Sequence, residues 1–147
     1  DADHDVVLVR VAGSGFAPLP LAREPTPAGT EVAVMSHPDG RFWMFTSGHV
    51  SRVAEWTSGR GGARPSYDVL CITAPFAPGS SGAAVVDRQG NAVGIAVRIM
   101  PILKTRDAGA GGENEKAGDH AHGGEYTAMV IPMAIPARWV LELVKSK

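Results

Sequence analysis

The chain has 147 residues, enough for one hydrophobic core. Its formal net charge is −1, from 14 basic and 15 acidic side chains, so nothing implies a polyanionic partner such as nucleic acid. The single cysteine, Cys71, excludes an internal disulfide, and no apolar run reaches the ~18 residues of a membrane span.

Most of the sequence reads as short strands punctuated by 18 glycines and 11 prolines. Asp1-Ala2-Asp3-His4-Asp5 carries no signal-peptide pattern and reads as the interior of a longer chain. Val6 to Val11 is a β-branched run. Gly13 to Gly29 holds four prolines and reads as a linker. Thr30–Met35 and Arg41–Thr46 flank a turn signal, His37-Pro38-Asp39-Gly40. Further strands are expected at Val50–Trp56, Asp68–Thr73, Ala83–Asp87, Ala92–Ile99 and Tyr126–Pro132. Polar, glycine-rich loops are expected over 59–65 and 104–124. Pro136 opens a helix to about residue 145, because Trp139, Val140, Leu143 and Val144 recur at three and four. This spacing predicts an all-β sandwich or barrel with a C-terminal helix.

The stretch with chemistry in it is Ala77-Pro78-Gly79-Ser80-Ser81-Gly82-Ala83, followed at once by an apolar strand. A serine hydroxyl is a weak nucleophile. It needs a histidine base and donors for the charge that develops on the carbonyl oxygen. Gly79 and Gly82 let the backbone turn sharply around Ser81, so that the N–H groups of Gly79 and Ser81 can face one small cavity. Taken alone, the same residues also compose an ordinary loop.

The neighbouring segments add to this reading. Pro78-Gly79-Ser80-Ser81-Gly82-Ala83, then Val93-Gly94-Ile95, resembles the nucleophile signature of trypsin-like serine endopeptidases, closest to the disulfide-free branch with the HtrA/DegP proteases. Ser80 stands where the family has Asn or Asp, and Ala83 where it has a second glycine. Glu31 to Pro38 resembles the first strand of the family's second barrel. Phe45 to Ser51 resembles its Thr-Ser-Gly segment, and Met129 to Pro136 the strand before its last helix. Asp5 to Val11 resembles the segment whose aspartate orients the catalytic histidine.

The resemblance implies a Greek-key barrel, the second of a double-barrel fold, plus a C-terminal helix. Residues 1–12 would be the last strand of the first barrel and 13–30 the inter-barrel linker. Residues 31–135 would be the second barrel, with 104–124 an insertion, and 136–147 the helix. It implies Ser81 as nucleophile, Asp5 as the orienting aspartate, and Gly79 and Ser81 as the oxyanion hole. Thr73, Pro75, Phe76, Ile95, Ala96, Val97 and Arg98 would bind substrate, the Ile95–Arg98 strand by β-addition. None of these is acidic, so an apolar residue before the scissile bond is expected.

The histidine of such a triad lies upstream of the aspartate, where this sequence offers only His4. His4 adjoins Asp5, and neighbouring side chains of a strand point to opposite faces. His37 and His49 read as turn or strand residues. His120 and His122 form a His-x-His pair without evident further ligands, so no metal and no cofactor is expected. The reading is therefore a C-terminal protease fragment completed by an N-terminal barrel fragment of the same precursor, acting on peptides or proteins. The alternative is a catalytically degenerate module for binding or structure. The compartment stays open.

Overall fold

A computed structural model describes residues 1–57, 66–105 and 125–146. It contains six strands: β1 (Glu31–Ser36), β2 (Met44–Thr57), β3 (Ser66–Ile72), β4 (Ala84–Asp87), β5 (Ala92–Thr105) and β6 (Glu125–Pro136). One helix follows, α1 (Ala137–Lys145). A single 3-10 turn, Pro38–Gly40, separates β1 from β2. All strand pairings are antiparallel and run in the ring order β1-β2-β3-β6-β5-β4, with β4 paired back onto β1.

The period-two pattern of the sequence sets which side chains fill the ring. In β1, Val32, Val34 and Ser36 point inward while Glu31 and Met35 face solvent. Val32 and Val34 meet Val50, Leu70, Ile72, Val85 and Val93 in a buried core. Each such buried aliphatic side chain contributes about 1.5–3 kcal/mol relative to exposure. A second cluster lies outside the ring, where Val69, Met133 and Ile135 are covered by Trp139, Val140 and Leu143 of α1. These are three of the four helical positions read from the sequence. Asp68 fastens the helix by accepting from Trp139 Nε1 at 3.2 Å and pairing with Arg138.

The barrel expectation needs correction. The expected wall of a second barrel over 31–135 is not evenly formed. β1 meets β4 only over Val32–Val34 against Val85–Asp87. β3 meets β6 only at Leu70 and Cys71, against Ala134 and Met133. Beyond Ile99 and Pro132, β5 and β6 leave the ring and, among the described residues, pair with each other alone as a two-stranded ribbon. Among the described residues, residues 6–12 have no strand partner, and Val7, Val9 and Val11 are exposed. β-branched residues form a strand only where a neighbour completes the ladder, and here none does.

Other boundaries differ for local reasons. The strands expected at 41–46 and 50–56 are one element, β2, which passes through Gly48 and bulges near Ser51. A Cβ on Gly48 would lie 2.4 Å from Ala74 N, so this glycine serves close backbone approach rather than a turn. β5 continues to Thr105, past the expected start of the 104–124 insertion. The rest of that insertion, the 59–65 loop, and His120 and His122 lie outside the described residues. Pro136 is the residue just before α1, not its first, and closes β6. The linker is fastened at its middle: Ala22 N–H donates to Ala92 O at 2.9 Å and Ala92 N–H to Pro20 O at 2.7 Å.

The β4–β5 turn is built on Asp87. Its Oδ1 accepts from the N–H of Gln89 and Asn91 at 2.9 and 2.8 Å, and its Oδ2 from Asn91 Nδ2 at 2.9 Å. Partial burial opposes the charge, but the side-chain and backbone hydrogen bonds of Asn91, with those of Gln89 and Gly90, outweigh it. They hold the carboxyl below its ordinary range. A depressed folded pKa gives stability that is present above the unfolded value, about 3.9, and lost as pH falls through the folded one. Asp87→Ala should therefore cost about 1–2 kcal/mol at neutral pH and flatten the acid limb below about pH 4, read from urea melts across pH. Gly94 tests the ring itself, because a Cβ there would lie 2.6 Å from Ile135 O. Gly94→Ala should cost about 2–3 kcal/mol by prising β5 from β6. Gly90→Ala, strained at φ +82° but in open space, should cost about 1 kcal/mol.

Candidate active site

The glycine-flanked turn links β3 to β4 and is held from three sides. Ser80 N–H donates to Ala77 O, and Ala83 N–H to Ser80 O, each at 3.1 Å. Gly79 and Gly82 adopt φ of +94° and +91°, where a side chain would be strained. Gly82 N–H donates to Ala96 O at 2.8 Å and Ala96 N–H to Ala83 O at 2.9 Å, which stitches the turn to β5. On the other side Asp39 N–H donates to Pro78 O at 2.8 Å. A Cβ on Gly79 would come within 3.0 Å of His37 O.

The third anchor is a pair of buried hydroxyls. Ser80 is 1 % exposed, and its Oγ lies 3.1 Å from Ser36 Oγ. Driving Ser80 inward turns its neighbour outward, and Ser81 is exposed. The Ser81 hydroxyl donates to Val97 O at 3.2 Å. Among the described residues, the N–H groups of Gly79 and Ser81 donate to no protein acceptor. The turn therefore presents a solvent-facing hydroxyl and two unspent backbone donors.

The remaining expected site residues divide between faces. Phe76 and Ala96 join the core inside the ring. Ile95 and Val97 pack on the outer cluster. Thr73 is exposed, and its hydroxyl accepts from His49 N–H at 2.8 Å. Pro75 is exposed. Arg98 lies over Trp56, with the guanidinium carbon 4.7 Å from the ring centroid.

No described histidine hydrogen-bonds to Ser81. His37 Nδ1 accepts from Trp43 N–H at 2.9 Å. The exposed His49 is held through its backbone to Thr73. His4 pairs with Asp1 at 2.7 Å and stacks on Trp139 at 3.8 Å. Asp5 is exposed at φ 56° and bonds neither a histidine nor Ser81. Asp1 and Val6 close a loop around it, with Val6 N–H donating to Asp1 O at 3.0 Å and the terminal amine to Val6 O at 2.7 Å. Val6 is buried in the outer cluster, which draws this segment toward α1. Among the described residues no group of three or more His, Cys, Asp or Glu is placed to hold a metal ion.

Sequence reasoning missed three contributors. Ser36 occupies an inward position of β1, and a polar residue on an apolar face was its signal. Trp56 supports Arg98 and was read only as a strand residue. The Val97 carbonyl leaves no mark in a sequence.

A family profile described as a trypsin-like peptidase domain matches residues 1–95, and the chain belongs to that family. It is a trypsin-like serine-protease domain related to HtrA-type proteases. Protease Do-like 1 from the chloroplast of Arabidopsis thaliana is 28% identical over 102 residues, which cover 67% of this chain and 23% of that protein. The solved HtrA-type protease AlgW, with a decapeptide, is similar at a TM-score of 0.54 and 25% identity, covering 87% of this chain and 32% of that one. The inactive form of Rv3671c from M. tuberculosis H37Rv is similar at a TM-score of 0.57 and 17% identity, covering 88% and 52%. The chain thus spans about a quarter of its curated relative and a third to a half of these structures.

The hydroxyl anchor yields a double-mutant test. Ser80→Ala or Ser36→Ala alone leaves one buried hydroxyl without a partner and should cost about 1–3 kcal/mol. The double variant should cost less than the sum of the two, as denaturant melts would show.

Proposed function

We propose that this domain is part of a serine endopeptidase in which Ser81 is the nucleophile. The observation that carries the reading is the exposed Ser81 hydroxyl in a turn whose Gly79 and Ser81 N–H groups are unspent. Ser81 Oγ attacks the peptide carbonyl carbon, and its proton passes to a histidine. The negative charge goes to the carbonyl oxygen, where the Gly79 and Ser81 N–H groups receive it, each worth about 3 kcal/mol in the transition state. The histidine then returns the proton to the departing amine, and water repeats the sequence to release the acyl group.

None of the described histidines bonds to Ser81, so the base is assigned to an upstream segment of the same precursor. Asp5 orients that histidine once the segment docks and pairs with the exposed 7–11 run. Docking must move Asp5 out of its present loop, which is held by the buried side chain of Val6, the bonds between Asp1 and Val6, the Asp1 carboxylate accepting from Asp3 and His4 N–H, and the His4 ring contacts. Substrate lies as an added strand on the β4-side edge of β5 from Val97 to Arg98, near Thr73, Pro75 and Phe76, with an apolar residue before the scissile bond. Ile95 and Ala96 of the expected Ile95–Arg98 edge are already paired to β4 and its preceding turn.

The test is fluorophosphonate labelling and hydrolysis of an apolar peptide, with the protein carrying its upstream segment and with residues 1–147 alone. The longer protein should be labelled at Ser81 and lose turnover in Ser81→Ala. Asp5→Asn should lower kcat by about 10⁴. Residues 1–147 alone should hydrolyse peptides negligibly. Hydrolysis by them that disappears in His49→Ala would give the base to His49. Neither labelling nor turnover in the longer protein would leave a binding module.

A further inference from the structure

We propose that Arg98 and Trp56 form a subsite for an acidic side chain of the substrate, on the acyl side of the scissile bond. This rests on the protease reading above and adds a substrate class to it.

The argument begins with position. Ala96 pairs with Ala134 and Arg98 with Met133, so Val97 is the extra residue of a β-bulge. Bulges re-aim the side chain that follows them. The Val97 carbonyl holds the Ser81 hydroxyl, which places Arg98 one residue from the nucleophile's contact. On the β4 side of β5, pairing ends at Ala96 among the described residues. A substrate strand added there would bring its side chains past Arg98 at every second position.

Chemistry supplies the second step. The guanidinium is held over the Trp56 ring, which fixes its direction without neutralising it. Arg98 forms no ion pair among the described residues. Its Nε is buried and has no acceptor, and the same holds for Trp56 Nε1. Unspent buried donors are costly, and a carboxylate is the acceptor that suits an arginine best. Asp5 forms no bond to Arg98 in its present loop and moves away when the upstream segment docks.

The experiment uses the protein carrying its upstream segment. Peptides with an apolar residue before the scissile bond carry Glu, Gln or Lys in turn at the second, third and fourth positions before it. At one position Glu should exceed Gln by roughly tenfold in kcat/KM, mostly through KM, and Lys should be poorest. Arg98→Met, which keeps the stem over Trp56, should bring the Glu-to-Gln ratio near one. Arg98→Glu should move the preference to Lys. If either variant fails to fold, the wild-type series decides alone. A protein that labels at Ser81 and cleaves the Glu and Gln peptides equally at all three positions overturns the subsite and leaves the protease reading intact. A protein that never labels overturns both.

Discussion

β1 is hydrogen-bonded on both sides, to β2 over its whole length and to β4 over Val32–Val34, and the site depends on that double pairing. A strand fixed on both edges cannot slip by one residue without sending its whole inward set to solvent. The register that buries Val32 and Val34 therefore also buries Ser36, the last inward position. Ser36 Oγ is the partner of Ser80, and Ser80 pointing in is what leaves Ser81 pointing out. A core packing constraint is thus converted, through one hydroxyl pair, into the exposure of the nucleophile candidate.

The elements that local pattern could reveal were legible. Alternation in β1, the Asp87 turn with Gly90, and the three-four spacing of Trp139, Val140 and Leu143 each encode their structure within a few residues. What failed was anything decided by distant partners. Residues 47–49 fell between two expected strands, yet Ala74 approaching the Gly48 backbone makes them part of one continuous strand. The uneven wall was invisible because nothing in β3 or β6 marks that only Leu70 and Cys71 meet Ala134 and Met133. At the site, Ser81, Gly79 and Gly82 could be read from turn chemistry. The acceptor of the Ser81 hydroxyl is a backbone carbonyl at a bulge, and no residue type announces it.

The opening segment shows the same limit from the other side. Val6 to Val11 has strand composition, but β-propensity measures the fit to a neighbouring ladder. With no ladder beside it, the segment buries Val6 alone against Val69, Met133 and Ile135 and leaves Val7, Val9 and Val11 in water. Long apolar side chains left on an unpaired run are a surface that another strand would cover at a gain of about 25 cal/mol for each Å². That gain is set against one buried valine, the hydrogen bonds of the Asp1–Val6 loop and the His4 contacts.

The bond from Ser81 to Val97 bears on whether the turn is an enzyme's or a scaffold's. A hydroxyl has one proton, and while Val97 accepts it no histidine can. Yet the contact is 3.2 Å long, beyond the 2.5–3.0 Å of a good O–H···O bond, and Ser81 is exposed. Rotating the serine about its one side-chain bond breaks it at a cost of about 1 kcal/mol or less. That is small beside the several kcal/mol available from two oxyanion donors. The bond therefore describes a resting orientation and does not argue against catalysis. A structural serine would show the opposite arrangement, a buried hydroxyl with a tight partner, and in this turn that role belongs to Ser80.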